Sequence, residues 1–365
     1  MEERKVHRVG SGSLAITLPS KWVQRVGLEP GDSVALLEED DASLLMVRSD
    51  RRREGRKAVS FEVSAEAPPG ELERLLIGCY VVGHDVVSIQ GKQPFTAAQL
   101  EGLRAAVSRL TGFGVIENRP ERFRARSYLD ASWCNREENL QRLLGLTVEM
   151  VAEAPAMIGR RDSAAAKEVL ALGDQADRLY YLTVRFLLSA LSDRALAARM
   201  GMESPQEITG CRMIAKALEE VGDSLETLAV AILNTESQDW GLEIDITRPV
   251  AEFADKICGY LTRGVDAFFG GSRERAEEIL RGTYEMEHEK DYFVQQVLRM
   301  AKTPLAVAVL TVAAMALRDV CRFSRVIGEI AMNNAIRKSG VDGAASLGQT
   351  SLPVPATVQG STIVK

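Results

Sequence analysis

The chain has 365 residues, of which 46% are hydrophobic and 26% charged, and 45 Lys/Arg against 51 Asp/Glu give a net charge of −6. This length predicts two or three domains, and the negative balance argues against a protein coated in nucleic acid. The five cysteines are scattered without a C-x-x-C pair, which argues against thiolate zinc sites and indicates a reducing cytosol. The longest apolar run, residues 305–317, is too short to span a bilayer, so we expect a cytoplasmic protein without membrane insertion.

The first 50 residues read as one small unit made of two hairpins and a helix. The pattern predicts strands at 5–9 and 14–18, a helix at 20–26 and a second hairpin from 33–37 and 44–47. Pro19 starts the helix because it fixes φ and lacks an N–H, and Gly27 ends it. A piece of this size cannot bury a core of its own. We therefore expect it to pair with a second copy, which makes the chain a homodimer.

The segment GSGSLAITLPSKWVQRVGLEPGDSV resembles the swapped-hairpin SpoVT/AbrB family of dimeric DNA-binding domains. The resemblance covers residues 1–50 and implies a module that dimerises and binds DNA. Five cations favour DNA contact because Lys and Arg neutralise phosphates: Arg4, Lys5, Arg8, Lys21 and Arg25. Many relatives also carry an arginine in the first turn, where this chain has Ser11 and Ser13. The alternative is a dimerisation unit that does not touch DNA.

Residues 51–57 form a basic linker, and residues 58–132 predict a small α/β domain of order βαβαββ with its helices on one face of a sheet. Thr96 is the expected N-cap of the second helix. The segment has no glycine-rich phosphate loop, and we interpret His84 as structural.

From residue 136 onward, apolar residues recur at helical spacing. The pattern predicts six long helices, at 136–158, 162–192, 205–234, 248–269, 273–300 and 305–337. They read as a three-helix unit used twice, at 136–235 and 248–338, with the two bundles packed side by side. Residues 339–365 are poor in charge and aromatics, and we expect a disordered tail.

Residues 137–337 resemble the PhoU family of phosphate uptake regulators, in its archaeal type with an N-terminal hairpin domain and an α/β insert. The resemblance rests on the Leu-Glu-x-x-Gly-Asp motif at residues 218–223, which contains Glu219 and Asp223. It also rests on Asp174 and Asp177 in the preceding helix. The resemblance implies that these four acids hold a metal ion of unknown identity on the bundle surface, because residues four apart share one helix face. The alternative is a solvated face on which Lys216 pairs with Glu219.

The second repeat departs from this pattern. Arg318 and Arg322 replace the acids, and only Glu287 keeps its place. Arginines cannot ligate a cation, so we expect at most one metal site. Arg318 and Arg322 are instead candidates for ion pairs or for holding an anion, since guanidinium suits both.

Together these features predict a cytoplasmic, dimeric regulator of phosphate homeostasis that couples a helical sensing module to a DNA-binding domain. No catalytic set is present in the sequence, so we do not expect an enzyme. By resemblance, the partners are DNA and the phosphate transport machinery. One alternative is a protein-binding regulator that acts directly on a transporter and uses its N-terminal domain only to dimerise. A second is a metal-dependent phosphohydrolase.

Overall fold

The computed structural model describes residues 3–10, 12–38, 44–48, 57–64, 66–130, 134–236, 238, 247–301 and 303–341. The chain divides into two compact units, residues 1–57 and 58–365. The predicted tail at 339–365 and the basic linker at 51–57 lie almost entirely outside the described residues. The α/β segment and the helices therefore belong to one unit, while the first 57 residues form their own.

The first unit contains two separate antiparallel hairpins and a short helix. Its elements are β1 (Val6–Val9), β2 (Ser13–Ile16), α1 (Ser20–Val26), β3 (Val34–Glu38) and β4 (Leu44–Arg48). Among the described residues, β1 pairs with β2 alone and β3 with β4 alone. Gly27 ends α1 in the left-handed region at φ 62°, and its N–H donates to the carbonyl of Gln24. The predicted elements are confirmed, with every strand boundary within two residues of the expected one.

The second unit begins with a four-stranded sheet and two helices. Its elements are β5 (Ala58–Val63), α2 (Pro69–Val81), β6 (Val86–Gly91), α3 (Ala97–Ser108), β7 (Phe113–Arg119) and β8 (Arg122–Ser127). The strand order is β5-β6-β8-β7, with β5 and β6 parallel and the other pairs antiparallel. Thr96 and Gln99 form a capping box at the start of α3. The predicted βαβαββ order and the Thr96 cap are confirmed.

One face of this sheet packs against α2 and α3. Phe123 and Ala125 of β8 are fully buried with Leu76 and Leu103 of the helices. Because successive side chains of a strand point to opposite faces, the residues between them in β8 lie on the other, uncovered face of the sheet.

The remaining described residues are helical. The helices are α4 (Arg136–Ala152), α5 (Ala154–Gly159), α6 (Ser163–Leu191), α7 (Arg194–Arg199), α8 (Pro205–Asn234), α9 (Thr247–Gly270), α10 (Arg273–Met300) and α11 (Pro304–Val341). Side chains of Asn135, Asp162 and Ser204 cap α4, α6 and α8. The six long helices are confirmed. The helix predicted over 136–158 is divided in two at Glu153, and α7 was not predicted.

The helices form two sets of three long helices, α4, α6 and α8 followed by α9, α10 and α11, which pack against each other mainly through α8 and α11. Their buried side chains make one continuous core. Gly210 of α8 lies against Phe268 of α9 and Ile330 of α11, where an added Cβ would come within 2.7 Å of the phenyl ring. The predicted pair of three-helix bundles that cover each other's open faces is confirmed.

Helix α11 is longer than the apolar run seen in the sequence. By length and composition, residues Pro304–Ser339 could cross a membrane, and this is the one such helix among the described residues. Half of its apolar window is buried inside the helical core. A buried core helix of a soluble protein passes the same test, so the finding is weak support for a membrane span.

Candidate functional site

The N-terminal hairpins carry apolar side chains that are open to solvent. No buried residue occurs among those whose side chains are described in this unit up to residue 48, at 3–10, 12–34, 36, 44 and 46. Six large apolar side chains are more than half exposed: Val6 (58%), Val9 (55%), Leu14 (71%), Ile16 (51%), Leu36 (54%) and Leu44 (60%). Exposed apolar surface of this extent is unfavourable in water. The hairpins therefore present apolar side chains of the kind found in a core, but without a partner that covers them.

The five predicted DNA-binding cations all belong to this unit. Arg4 and Lys5 precede β1 and Arg8 lies within it, opposite Leu14 in the hairpin register. Lys21 and Arg25 lie four residues apart on α1, and both are exposed. The structure thus places them in two groups, one along β1 and one along a single face of α1. Ser11 of the first turn lies outside the described residues.

The four predicted metal ligands come from two helices that pack against each other. Asp174 and Asp177 lie on α6, and Glu219 and Asp223 on α8. Burial raises the pKa of the Asp223 carboxyl, and the negative charge of Asp177 raises it further. Burial also raises the pKa of Glu219, against a hydrogen bond from Lys216 that lowers it. The sequence pattern therefore located a real cluster of carboxylates that interact electrostatically.

Two basic side chains already occupy carboxylate oxygens in this cluster. The guanidinium of Arg109, which follows α3, donates to Asp177 at 2.5 Å. The ammonium of Lys216 donates to Glu219 and lies 2.7 Å from Glu220. In the described part of the chain, no three His, Cys, Asp or Glu side chains are placed to hold a metal ion together. As arranged, the acids do not fit a metal, because binding would require Arg109 and Lys216 to release them.

The sequence analysis missed one member of this acidic cluster, Glu226. It lies one turn beyond Asp223, at a spacing of three that keeps it on the same face of α8. Its carboxylate fills the space above Gly173 of α6, where any Cβ would overlap it. Burial raises the pKa of Glu226 to about 7, and the charges of Asp177 and Asp223 add to the effect.

A second contact joins the α/β segment to α6. The side chain of Arg185 is 6% exposed and donates to the backbone carbonyls of Tyr80 and His84, at 2.7 and 2.8 Å. It also donates to the Asp85 carboxylate at 2.7 Å. A buried arginine with three acceptors fixes the relative position of the two segments. Together with the Arg109–Asp177 pair, it links the sheet domain to the helix that carries the acids.

The second repeat shows the predicted ion pairing. Both arginines flank Asp319 on α11, with Arg318 at 3.2 Å and Arg322 at 3.9 Å from the same carboxylate oxygen. Arg322 also lies over the ring of Phe323. The side chain of Glu287 lies outside the described residues. Both arginines remain partly exposed, so the alternative role of holding an anion stays a prediction.

Comparison with known proteins assigns both ends of this architecture. Residues 8–54 match the family model described as antidote-toxin recognition MazE, bacterial antitoxin, and residues 140–232 match the PhoU domain. The N-terminal unit is thus similar to MazE-type antitoxin domains, and part of the helical unit is similar to PhoU domains. The crystal structure of PhoU from Pseudomonas aeruginosa matches with 18% identity and a TM-score of 0.43, over 56% of this chain and 96% of that one. No curated protein matches the chain.

Proposed function

We propose that this chain is a cytoplasmic, dimeric regulator of phosphate homeostasis that binds DNA through its N-terminal hairpins and senses phosphate status through its helical bundles. The observation that carries the proposal is the PhoU domain at residues 140–232, embedded in a two-bundle helical unit. The N-terminal match adds a module of the kind that dimerises or binds DNA.

The exposed apolar side chains of the hairpins support dimerisation. A fully buried leucine or isoleucine contributes about 1.5 to 3 kcal/mol relative to an exposed one. Several such side chains, among them Leu14, Ile16 and Leu44, are exposed, and no residue up to 48 whose side chain is described is buried. A second copy that pairs with these hairpins gives both chains the core that each lacks.

The cations of the same unit support DNA binding by the dimer. Each phosphate contact makes the slope of log K against log salt more negative by about 0.9. A variant with Arg4, Lys5 and Arg8 changed to glutamine should therefore have a slope that is shallower by roughly 2.7 per subunit if all three contact phosphate. A matched loss of charge in the helical unit, such as Arg142→Gln, should leave the slope as it is in the native protein.

The experiment is genome-wide capture of DNA with the native protein, with and without phosphate starvation, followed by salt titration on the recovered sites. Enriched sites whose affinity depends on the three N-terminal cations support the proposal. An absence of enriched sites favours the alternative, a regulator that contacts a phosphate transporter directly. The feature that favours this alternative is the first turn, which holds Ser11 and Ser13 where many relatives of the hairpin family carry an arginine.

The contacts of Arg109 and Arg185 support a physical route between the acidic face and the α/β segment. A change in the packing of α6 against α8 alters the position of Asp177, and with it the hold on Arg109. Allostery requires two states with different contacts, and here the two states are Asp177 paired with Arg109 and Asp177 released. Equal DNA affinity with and without phosphate and metal contradicts such a relay.

Metal binding by Asp174, Asp177, Glu219 and Asp223 stays a prediction. A metal ion would have to compete with Arg109 and Lys216 for these carboxylates. If a metal displaces them, Arg109→Gln should tighten binding of Mg²⁺ or Mn²⁺, measured by equilibrium dialysis. Asp223→Asn should abolish that binding. Failure of both ions to bind the native chain and the Arg109 variant removes the metal from the proposal without affecting DNA recognition.

A further inference from the structure

The uncovered face of the four-stranded sheet carries a row of arginines. In β8 the side chains alternate, so that Phe123 and Ala125 are buried while Arg122, Arg124 and Arg126 lie on the opposite face. Ser88 is the β6 partner of Arg124, and Gln90 is the partner of Arg122. Like charges on one face of a strand repel each other and do not help the sheet to pack. We call these residues, with Ser60 of β5, the open sheet face.

Two adjoining cavities lie on this face. The first has a volume of about 390 Å³ and is lined by Ser60, Glu62, Ser88, Ile89, Gln90, Arg122 and Arg124. The second, of about 380 Å³, is lined by Gln90, Glu117, Arg119, Pro120, Glu121 and Arg122. Gln90 and Arg122 line both, so that the guanidinium of Arg122 stands where the cavities meet. Each cavity has the size of a small-molecule site.

The neighbouring side chains hold the arginines in place. Nε of Arg122 donates to the side-chain oxygen of Gln90 at 2.9 Å, and Nε of Arg124 donates to the hydroxyl of Ser88 at 3.1 Å. Glu117 lies 3.6 Å from Arg124 and 3.2 Å from Arg119, so it is shared by two cations. Among the described residues, Arg122 forms no ion pair with a carboxylate. The face is thus pre-organised, and the positive charge of Arg122 is not neutralised by a partner.

We propose that the open sheet face binds a small phosphorylated polyol of the sugar phosphate class. The phosphate lies on Arg122 and Arg124, since guanidinium groups bind phosphate oxygens with paired N–H donors. The sugar hydroxyls lie against Ser60 and Glu62, whose carboxylate accepts hydrogen bonds from hydroxyl groups but repels further phosphates.

The lining distinguishes this class from other phosphate compounds. Within the described residues, neither cavity is lined by an aromatic side chain on which a nucleobase could stack. Glu62 and Glu121 add negative charge to the lining of the two cavities, which disfavours the successive phosphates of a nucleic acid. The site goes beyond the proposed function, because it lies on the sheet and uses none of the residues assigned to DNA, dimerisation or metal.

The test is calorimetric titration of the full chain with glucose 6-phosphate and ribose 5-phosphate, alongside glucose, inorganic phosphate and a single-stranded oligonucleotide. We expect both sugar phosphates to bind more tightly than inorganic phosphate, and glucose not to bind. Arg122→Gln and Arg124→Gln should each weaken binding roughly ten- to hundredfold, as expected for the loss of a charged hydrogen bond. The control is Arg104→Gln, which removes an exposed arginine from α3, on the other layer of the same domain.

Thermal unfolding of each variant checks that the domain still folds. Ser88→Ala is a milder change, which should weaken binding a few-fold because Arg124 loses its hydrogen bond to the Ser88 hydroxyl. No heat of binding with either sugar phosphate overturns the proposal, as does binding that the two arginine variants leave intact. Equal affinity for inorganic phosphate, or an oligonucleotide that sugar phosphates fail to displace, also overturns the assignment to this class. None of these results bears on DNA binding by the N-terminal unit, which is measured separately.

Discussion

Replacing Glu226 with glutamine should make the helical unit more stable at neutral pH. The carboxylate of Glu226 fills the notch above Gly173, beside Asp177 and Asp223, and its pKa in the folded chain is about 7. Glutamine has nearly the same shape and carries no charge. The substitution therefore removes the electrostatic cost of ionising this side chain while keeping its packing.

The pKa sets the size and the pH range of the effect. A pKa that rises from an ordinary value of 4.5 to about 7 corresponds to an upper limit of roughly 3 kcal/mol. Because Glu226 is only half-buried, solvent screening reduces this to about 1 to 2 kcal/mol. Below pH 4.5 both states are protonated and no penalty exists. Between pH 4.5 and 7 the unfolded chain ionises first, so native stability falls as pH rises, and above pH 7 the penalty is constant.

The assay is the thermal unfolding midpoint of the full chain from pH 4 to pH 8.5. We expect Glu226→Gln to match the native chain at pH 4 and to unfold about 2 to 8 °C higher above pH 7. Glu168→Gln removes an exposed carboxylate of α6 and measures the effect of lost charge alone. If the gap between Glu226→Gln and the native chain does not widen with pH, the reasoning about the acidic face is wrong.

Four further substitutions test the helix packing, a buried ion pair and a helix cap. Gly210→Ala should lower the free energy of unfolding, measured with denaturant, by about 1 to 3 kcal/mol, because the added methyl group overpacks this contact. Gly145 has open space around it, so Gly145→Ala should raise the free energy of unfolding by up to about 1 kcal/mol. Equal effects of the two variants contradict the close contact at Gly210. Arg185→Met should lower the free energy of unfolding by about 3 to 5 kcal/mol, because it removes the buried cation from Asp85. It should also speed amide exchange in α2, and unchanged exchange contradicts a link between α6 and the α/β segment through Arg185. Thr96→Ala should lower the free energy of unfolding by about 1 kcal/mol, which is measured as a lower unfolding midpoint. An unchanged midpoint contradicts the capping box.

Local signals in the sequence were sufficient to predict most of the fold. Thr96 capped α3 and Gly27 closed α1 as their chemistry required, because caps act within a few residues. The break at Glu153 was missed although Pro155 marks it. Proline is tolerated in a first helical turn, and the apolar periodicity continues across the break.

The candidate site was only partly predictable. The acids of α6 and α8 follow from spacing, and Glu226 could have been found by extending the same face one turn further. Arg109 could not have been found from the sequence, because 68 residues separate it from Asp177. The packing of the α/β segment on α6 brings the two side chains together. A motif predicts which residues share a helix face, but it does not indicate which charge from another domain will meet them.

The exposed hairpins remain the feature on which dimerisation and DNA binding in the functional account depend. Sedimentation of the full chain at micromolar concentration measures its mass directly, with Leu14→Asp as the variant that places a charge on the apolar surface. The account predicts a species of twice 39.9 kDa for the native chain and a shift towards a single chain for the variant, with the helical unit still folded. A native species of single-chain mass, with the amides of β1 and β2 protected from exchange, contradicts it.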